Sequence, residues 1–92
     1  MNFQLKYSIE AQRALRTLPG HYRQRARRIV EGLARVPRPS GALELRNHPG
    51  VYRLPLNGWR VIWRVDDEAG VVLIIGIRPK TGPETYEDLE AE

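Results

Sequence analysis

Asn57 and Gly58 stand between two runs of alternating apolar residues, and no other feature restricts the folding of this chain as tightly. Asn-Gly is the strongest short-range signal for a two-residue hairpin loop, because a type I′ turn needs positive φ at both central positions. With these two residues as the loop, Leu56 pairs with Trp59, Leu54 with Val61, and Tyr52 with Trp63. Side chains alternate across a strand, so those six share one face. Arg53, Pro55, Arg60, Ile62 and Arg64 fall on the other. The expected hairpin has an aromatic and aliphatic core face, Tyr52, Trp59 and Trp63 included, backed by an arginine face.

The flanking sequence supplies more strands and two helices. Asp66 to Gly70 reads as a second turn, and Val71 to Ile77 as a continuous apolar strand. Pairing Val65 with Val71 brings Leu73 to Trp63 and Ile75 to Val61 on the core side. Gly76 then lies opposite Arg60, with Arg78 just beyond on the arginine face. Glycine inside a strand often marks a close approach by a ligand or backbone. Upstream, Phe3, Leu5 and Tyr7 alternate with Gln4 and Lys6 as a short strand. Ser8 suits a helix N-cap and Glu10 the first turn, where its charge complements the helix dipole. Ala11, Ala14, Leu15 and Leu18 follow at helical spacing, and Pro19-Gly20 ends the helix. A second helix runs from about His21 to Val36 on a buried stripe of Tyr22, Ala26, Ile29, Val30 and Leu33. Its other sides carry Arg23, Arg25, Arg27, Arg28 and Arg35.

Pro37 to Gly41 is a connection inside the domain, and Leu43 and Leu45 anchor the passage through His48-Pro49-Gly50 into the hairpin. Beyond Arg78, Thr81-Gly82-Pro83 is a loop, with Pro83 placed to open a short closing helix before an acidic end. The expected fold class is α+β: an N-terminal strand and helical hairpin packed on a twisted antiparallel β-sheet, with a short C-terminal helix. Residues 1–92 make one domain, a length at which a single core suffices.

Charge points to the partner. Residues 1–65 hold thirteen Lys and Arg against three acids, for +10, whereas residues 66–92 hold two against eight, for −6. Thirteen of the fifteen bases are arginine, which forks onto phosphates and stacks on bases. A polyanionic partner is favoured, either nucleic acid or an acidic protein segment. Absence of cysteine excludes disulfides and thiolate metal sites. No apolar run approaches the ~20 residues of a membrane helix, and the first residues lack the regions of a signal peptide. The expectation is a soluble cytoplasmic protein with no metal, no cofactor and no membrane association.

At this point the ordered series of motifs resembles the RelE/ParE toxins of bacterial type II toxin–antitoxin pairs, over nearly the whole chain. The resemblance rests on Leu15-x-x-Leu18-Pro19, on Leu45 with Pro49-Gly50-Val51-Tyr52-Arg53-Leu54, and on Gly58-Trp59-Arg60-Val61-Ile62-Trp63-Arg64-Val65-Asp66-Asp67. It closes with a strand leading into Arg78 and the later Tyr86. Such toxins are held inactive by an antitoxin that wraps around them, in a hetero-oligomer. RelE-like members cleave mRNA in the ribosomal A site on the concave sheet face. There the 2′-OH attacks its own phosphate and positive groups stabilise the phosphorane.

The resemblance implies catalytic roles for Arg53, Arg60, Arg78 and Tyr86. Arg64, Lys80, Arg46, Arg23 and Arg27 are the basic residues expected to make supporting contacts to RNA or the ribosome. Pro55 sits where RNA-cleaving members carry a second lysine, and arginine is a poor general base. His48, Tyr86, Lys80 and Glu84 are the alternatives for that task. The expected activity is therefore an mRNA endoribonuclease toxin. The alternatives are a ParE-like poison of DNA gyrase that acts without nuclease chemistry, and a degenerate member that only binds its antitoxin.

Overall fold

Local chemistry sets most element boundaries in the computed structural model, which describes residues 2–80. Ser8 ends strand β1 (Gln4–Tyr7) and caps helix α1 (Ile9–Thr17), its hydroxyl accepting the Ala11 amide at 3.0 Å. Helix α2 (Gly20–Gly32) stops short of the expected Val36. Glycine is a poor helix former, and beyond it the chain tightens into shorter-range bonds from Leu33 N to Val30 O and from Ala34 N to Glu31 O. Strands β2 (Leu43–Glu44), β3 (Val51–Leu56), β4 (Trp59–Asp66) and β5 (Val71–Pro79) follow. No described helix is long and apolar enough to cross a membrane.

The five strands form one sheet in the order β1-β5-β4-β3-β2. Strands β2 to β5 are antiparallel, but β1 joins β5 in parallel, so the sheet is mixed. Parallel neighbours need a long crossover, and the two helices lie within the connection that follows β1. Both helices pack on one face. Ala11, Leu15, Leu18, Ala26, Val30 and Leu33 close on Leu56, Val61, Trp63, Val65, Val72, Ile74 and Ile77. Trp63 is fully buried, and its indole Nε1 donates to the Pro37 carbonyl at 2.9 Å.

The hairpin has the expected register, with Leu56 opposite Trp59, Leu54 opposite Val61 and Tyr52 opposite Trp63. Its turn departs from type I′. Positive φ occurs at Asn57 (54°) and not at Gly58, whose carbonyl accepts the Lys80 amide at 2.8 Å.

Strand β5 is shifted by one residue from the expected pairing. Asp66 remains in β4 opposite Val71 while its carboxylate accepts the Ala69 amide, and Gly70 closes the loop at φ 67°. Val65 therefore meets Val72, and Trp63 meets Ile74. Core positions on this part of β5 are Val72 and Ile74, not Leu73 and Ile75. A β-bulge between Ile62 and Trp63 then inserts Ile75 as an extra residue. Beyond it the parity inverts: Ile62 pairs with Gly76, Val61 with Ile77, and Arg60 with Arg78. Gly76 thus lies opposite Ile62 rather than Arg60. Arg78 reaches the arginine face through the bulge.

Candidate functional site

The face turned away from the helices combines arginines with a small apolar patch. Ile62, on the arginine side of the hairpin, is fully buried with Val51 and Leu45, and Ile75 packs against them. Around this patch the ladder places three of the four expected catalytic residues. Arg60 and Arg78 are directly opposed across β4 and β5, about 5 Å apart at Cα. Arg53, opposite Ile62, is diagonal to Arg60 at roughly 7–8 Å. Pro55 extends the Arg60–Arg78 rung on its other side.

Like charges facing each other across a ladder are destabilising. Here the two are held by different partners: Arg60 Nη1 donates to the Trp59 carbonyl at 3.0 Å, and Arg78 pairs with a carboxylate. Glu10, from the first turn of α1, accepts Arg78 Nε at 2.8 Å and Nη2 at 2.9 Å. Such a bidentate charge-assisted pair fixes the plane of the guanidinium as well as its charge. The Arg78 side chain is only 14% exposed and that of Glu10 46%. Gly76 is buried beneath the pair, and a Cβ on it would run into the Glu10 carboxylate. The close approach expected at this glycine is made by the protein's own side chain.

The other expected residues are spread around this rung. Lys80 follows Arg78 by two residues and is exposed. Arg64 pairs with Val51 and Leu73, and Arg46 is exposed in the β2–β3 turn. Arg23 and Arg27 lie on α2, which packs on the opposite face of the sheet. Arg23 donates to the Arg16 carbonyl at 3.0 Å, tying the two helices together. Arg27 lines a groove of about 330 Å³ with Tyr7, Gln12, Leu15, Arg16, Val30 and Glu31. Burial, then the nearby Glu31, push the Tyr7 hydroxyl above its ordinary pKa. His48 sits in the β2–β3 turn, its Nε2 buried with no hydrogen-bond partner. That turn leads into Val51, which pairs with Arg64 four residues along β4 from Arg60, a strand distance of about 13 Å. Tyr86, Glu84 and the expected C-terminal helix lie outside the described residues. Among the described residues, no group of His, Cys, Asp and Glu could hold a metal ion.

Two features escaped the sequence reading. Glu10 was legible as a helix-start acid, but its partner is 68 residues away. The second is a latch over the α2–β2 connection. Arg38 donates Nε to the Tyr52 hydroxyl at 2.7 Å and forks onto Asp67 at 3.2 and 2.7 Å, while lying over the Tyr52 ring. Tyr52 in turn stacks on Trp63. Hydrogen bonding to Arg38 holds the Asp67 carboxyl below its ordinary pKa.

Two helices packed on one face of a five-stranded mixed sheet form the fold of a class of small toxins. The sequence model described as ParE toxin of type II toxin-antitoxin system, parDE, matches residues 5–81. The chain belongs to the RelE/ParE superfamily of type II toxins. No curated protein matches its sequence at a significant level. Solved structures share the fold. The chain is similar to a variant of Escherichia coli toxin RelE in the free state, with 24% identity over 99% of this chain and 97% of that one and a TM-score of 0.81. RelE in the archaeal RelE–RelB complex of Pyrococcus horikoshii gives 24%, 88%, 98% and 0.76 in the same order. The intact E. coli RelBE toxin–antitoxin complex gives 25%, 84%, 95% and 0.74.

Proposed function

We propose that this toxin arrests translation by cutting mRNA on the ribosome: a 2′-OH loses its proton and attacks the adjacent phosphate, the P–O5′ bond breaks, and the products are a 2′,3′-cyclic phosphate and a protonated 5′-OH. The observation carrying this reading is the Arg60–Arg78 rung, with Arg53 diagonal to it, on the sheet face that the helices leave uncovered. Arginine stays charged at any relevant pH and donates to two phosphate oxygens at once. Removing one donor to a developing oxyanion typically costs ~3 kcal/mol. Three such groups supply most of what a modest phosphodiester cleavage requires. Tyr86 stacks on a base or orients the hydroxyl. Lys80, Arg64 and Arg46 hold the RNA backbone around the rung, while Arg23 and Arg27 give a separate basic contact on the helical side. An antitoxin covers this face in the resting cytoplasmic complex, a reading supported by the 25% identity to the RelBE complex.

A gyrase-directed reading is favoured by the ParE family match and by Pro55, which occupies the rung directly opposite Arg60 where a further cation would serve an RNA. One experiment separates the two. The full chain is induced without antitoxin, mRNA 5′ ends are mapped, and DNA breaks and supercoiling are assayed in the same cells. Cuts within translated codons that disappear in Arg60→Ala support the nuclease. Intact mRNA with gyrase-linked breaks replaces it with the ParE-like reading. Normal growth and neither lesion leaves an antitoxin-binding protein.

A further inference from the structure

The first turn of α1 is built into the arginine face, and the reasons can be followed residue by residue. The bulge at Ile75 interrupts the ladder and leaves a carbonyl that needs a donor. Ser8 supplies one: its hydroxyl donates to Ile75 O while accepting the Ala11 amide, and its own amide donates to Ile74 O. One residue thus caps the helix and closes the bulge. The helix start is thereby fixed against β5, and Glu10, two residues further on, is set over Gly76 and onto Arg78. Any side chain at position 76 would occupy the space the carboxylate needs.

We infer that Glu10 is the positioning residue of the arginine rung, holding the Arg78 guanidinium in one plane beside Arg60 so that both donate to the same phosphate. This deepens the nuclease reading and rests on it. Two cations facing each other across a rung repel, and an arginine that is not held by an acid can relieve that repulsion by swinging away. Glu10 removes the relief. Its two carboxylate oxygens contact Nε and Nη2 of Arg78, which fixes the plane of the guanidinium. The role is opposite in sign to simple electrostatics. A carboxylate beside a phosphate site should weaken anion binding, so its loss would tighten binding if charge alone counted. As a positioning group it sustains the chemical step, where a misplacement of about 1 Å costs on the order of 100-fold.

The test uses the purified full-length chain and ribosomes programmed with mRNA, read as single-turnover cleavage rate and half-saturating ribosome concentration. Glu10→Gln keeps the shape and removes the charge. Gly76→Ala keeps the charge and evicts the carboxylate. Both are expected to lower the saturated rate by about 10- to 100-fold with half-saturation unchanged or lower. Glu10→Asp is expected to retain part of the rate, and Glu68→Gln, an equal charge change in the β4–β5 loop, all of it. In parallel, the Arg78 Nε–H resonance, sharp and slow to exchange in the parent chain, should broaden or exchange rapidly in both variants. Wild-type rates in Glu10→Gln and Gly76→Ala overturn the inference and leave the nuclease reading standing. Faster cleavage in both would make Glu10 a brake, which also overturns it. A parent chain that cuts no mRNA overturns the nuclease reading and the inference with it.

Discussion

The two faces of the sheet are made from alternate residues of the same strands, yet they are held together by different means. On the helix face, Val61, Trp63, Val65, Val72 and Ile74 meet two apolar helix stripes, and burial gives most of the cohesion, with the Trp63 indole also donating to the Pro37 carbonyl. On the open face, Ile62 packs among the described residues with the small cluster of Leu45, Val51 and Ile75, and a neighbouring cation such as Arg78 takes an explicit partner in Glu10. The helix face tolerates shape-conserving change because its attraction is non-directional. The open face depends on particular atoms at particular rungs. Stability and function should therefore separate by face, and that separation can be attacked from both sides.

The largest effect belongs to the helix face. Trp63→Ala removes the largest fully buried side chain together with the Pro37 and Tyr52 contacts, and should cost ~3–5 kcal/mol in chemical denaturation. A loss under about 1 kcal/mol would mean that the main core is not where cohesion resides. Arg60→Ala is the mirror case. Growth arrest should disappear, corresponding to ~3 kcal/mol of lost transition-state stabilisation, with the unfolding curve moved by no more than ~0.5 kcal/mol. Full toxicity in a folded Arg60→Ala chain would break the assignment of function to the open face. Ile62→Ala tests whether the open face has any cohesion of its own. Because its cluster is small, a cost of about 2 kcal/mol is expected, the lower end for such truncations.

The smallest effect sits at the latch. Hydrogen bonds from Arg38 lower the Asp67 pKa in the folded chain, so the contribution of the pair is complete above the ordinary carboxylate pKa. It is lost as pH falls through the lower folded value. Asp67→Asn should therefore flatten the acid limb of the stability curve slightly and leave neutral-pH stability nearly unchanged, as exposed pairs contribute little. A marked loss at pH 7 would show that the latch, rather than the core, secures the α2–β2 connection.

How much of this was legible in the sequence follows the same division. Asn57-Gly58 set the hairpin register because a two-residue loop admits one pairing, even though Gly58 lacks the expected positive φ. Ser8 and the helical stripes were legible because capping and 3.6-residue periodicity are local. Strand β5 was not. Val71 to Ile77 is apolar at nearly every position, so either parity satisfies the pattern, and a bulge leaves no composition signature in such a run. The expected placement of Arg78 on the open face nevertheless agrees with the structure, because the extra β4 residue Asp66 and the extra Ile75 each invert the parity once. Glu10 with Arg78 and Arg38 with Asp67 join residues 68 and 29 positions apart, beyond the reach of any local rule.

The bulge has one more consequence, best put as a matter of counting. A strand carries a reading frame of two, and Ile75 is a single-residue frameshift within β5. Upstream of it even-numbered residues face the helices; downstream odd-numbered residues do. Deleting Ile75 would restore one frame throughout and leave Ile77 toward the helices and Arg78 on the open face, because the residue lost is the one without a cross-strand partner. What the deletion would remove is the carbonyl that accepts the Ser8 hydroxyl. The ladder itself can absorb that loss, and its effect would fall instead on the start of α1, where Ser8 and Glu10 are set against β5.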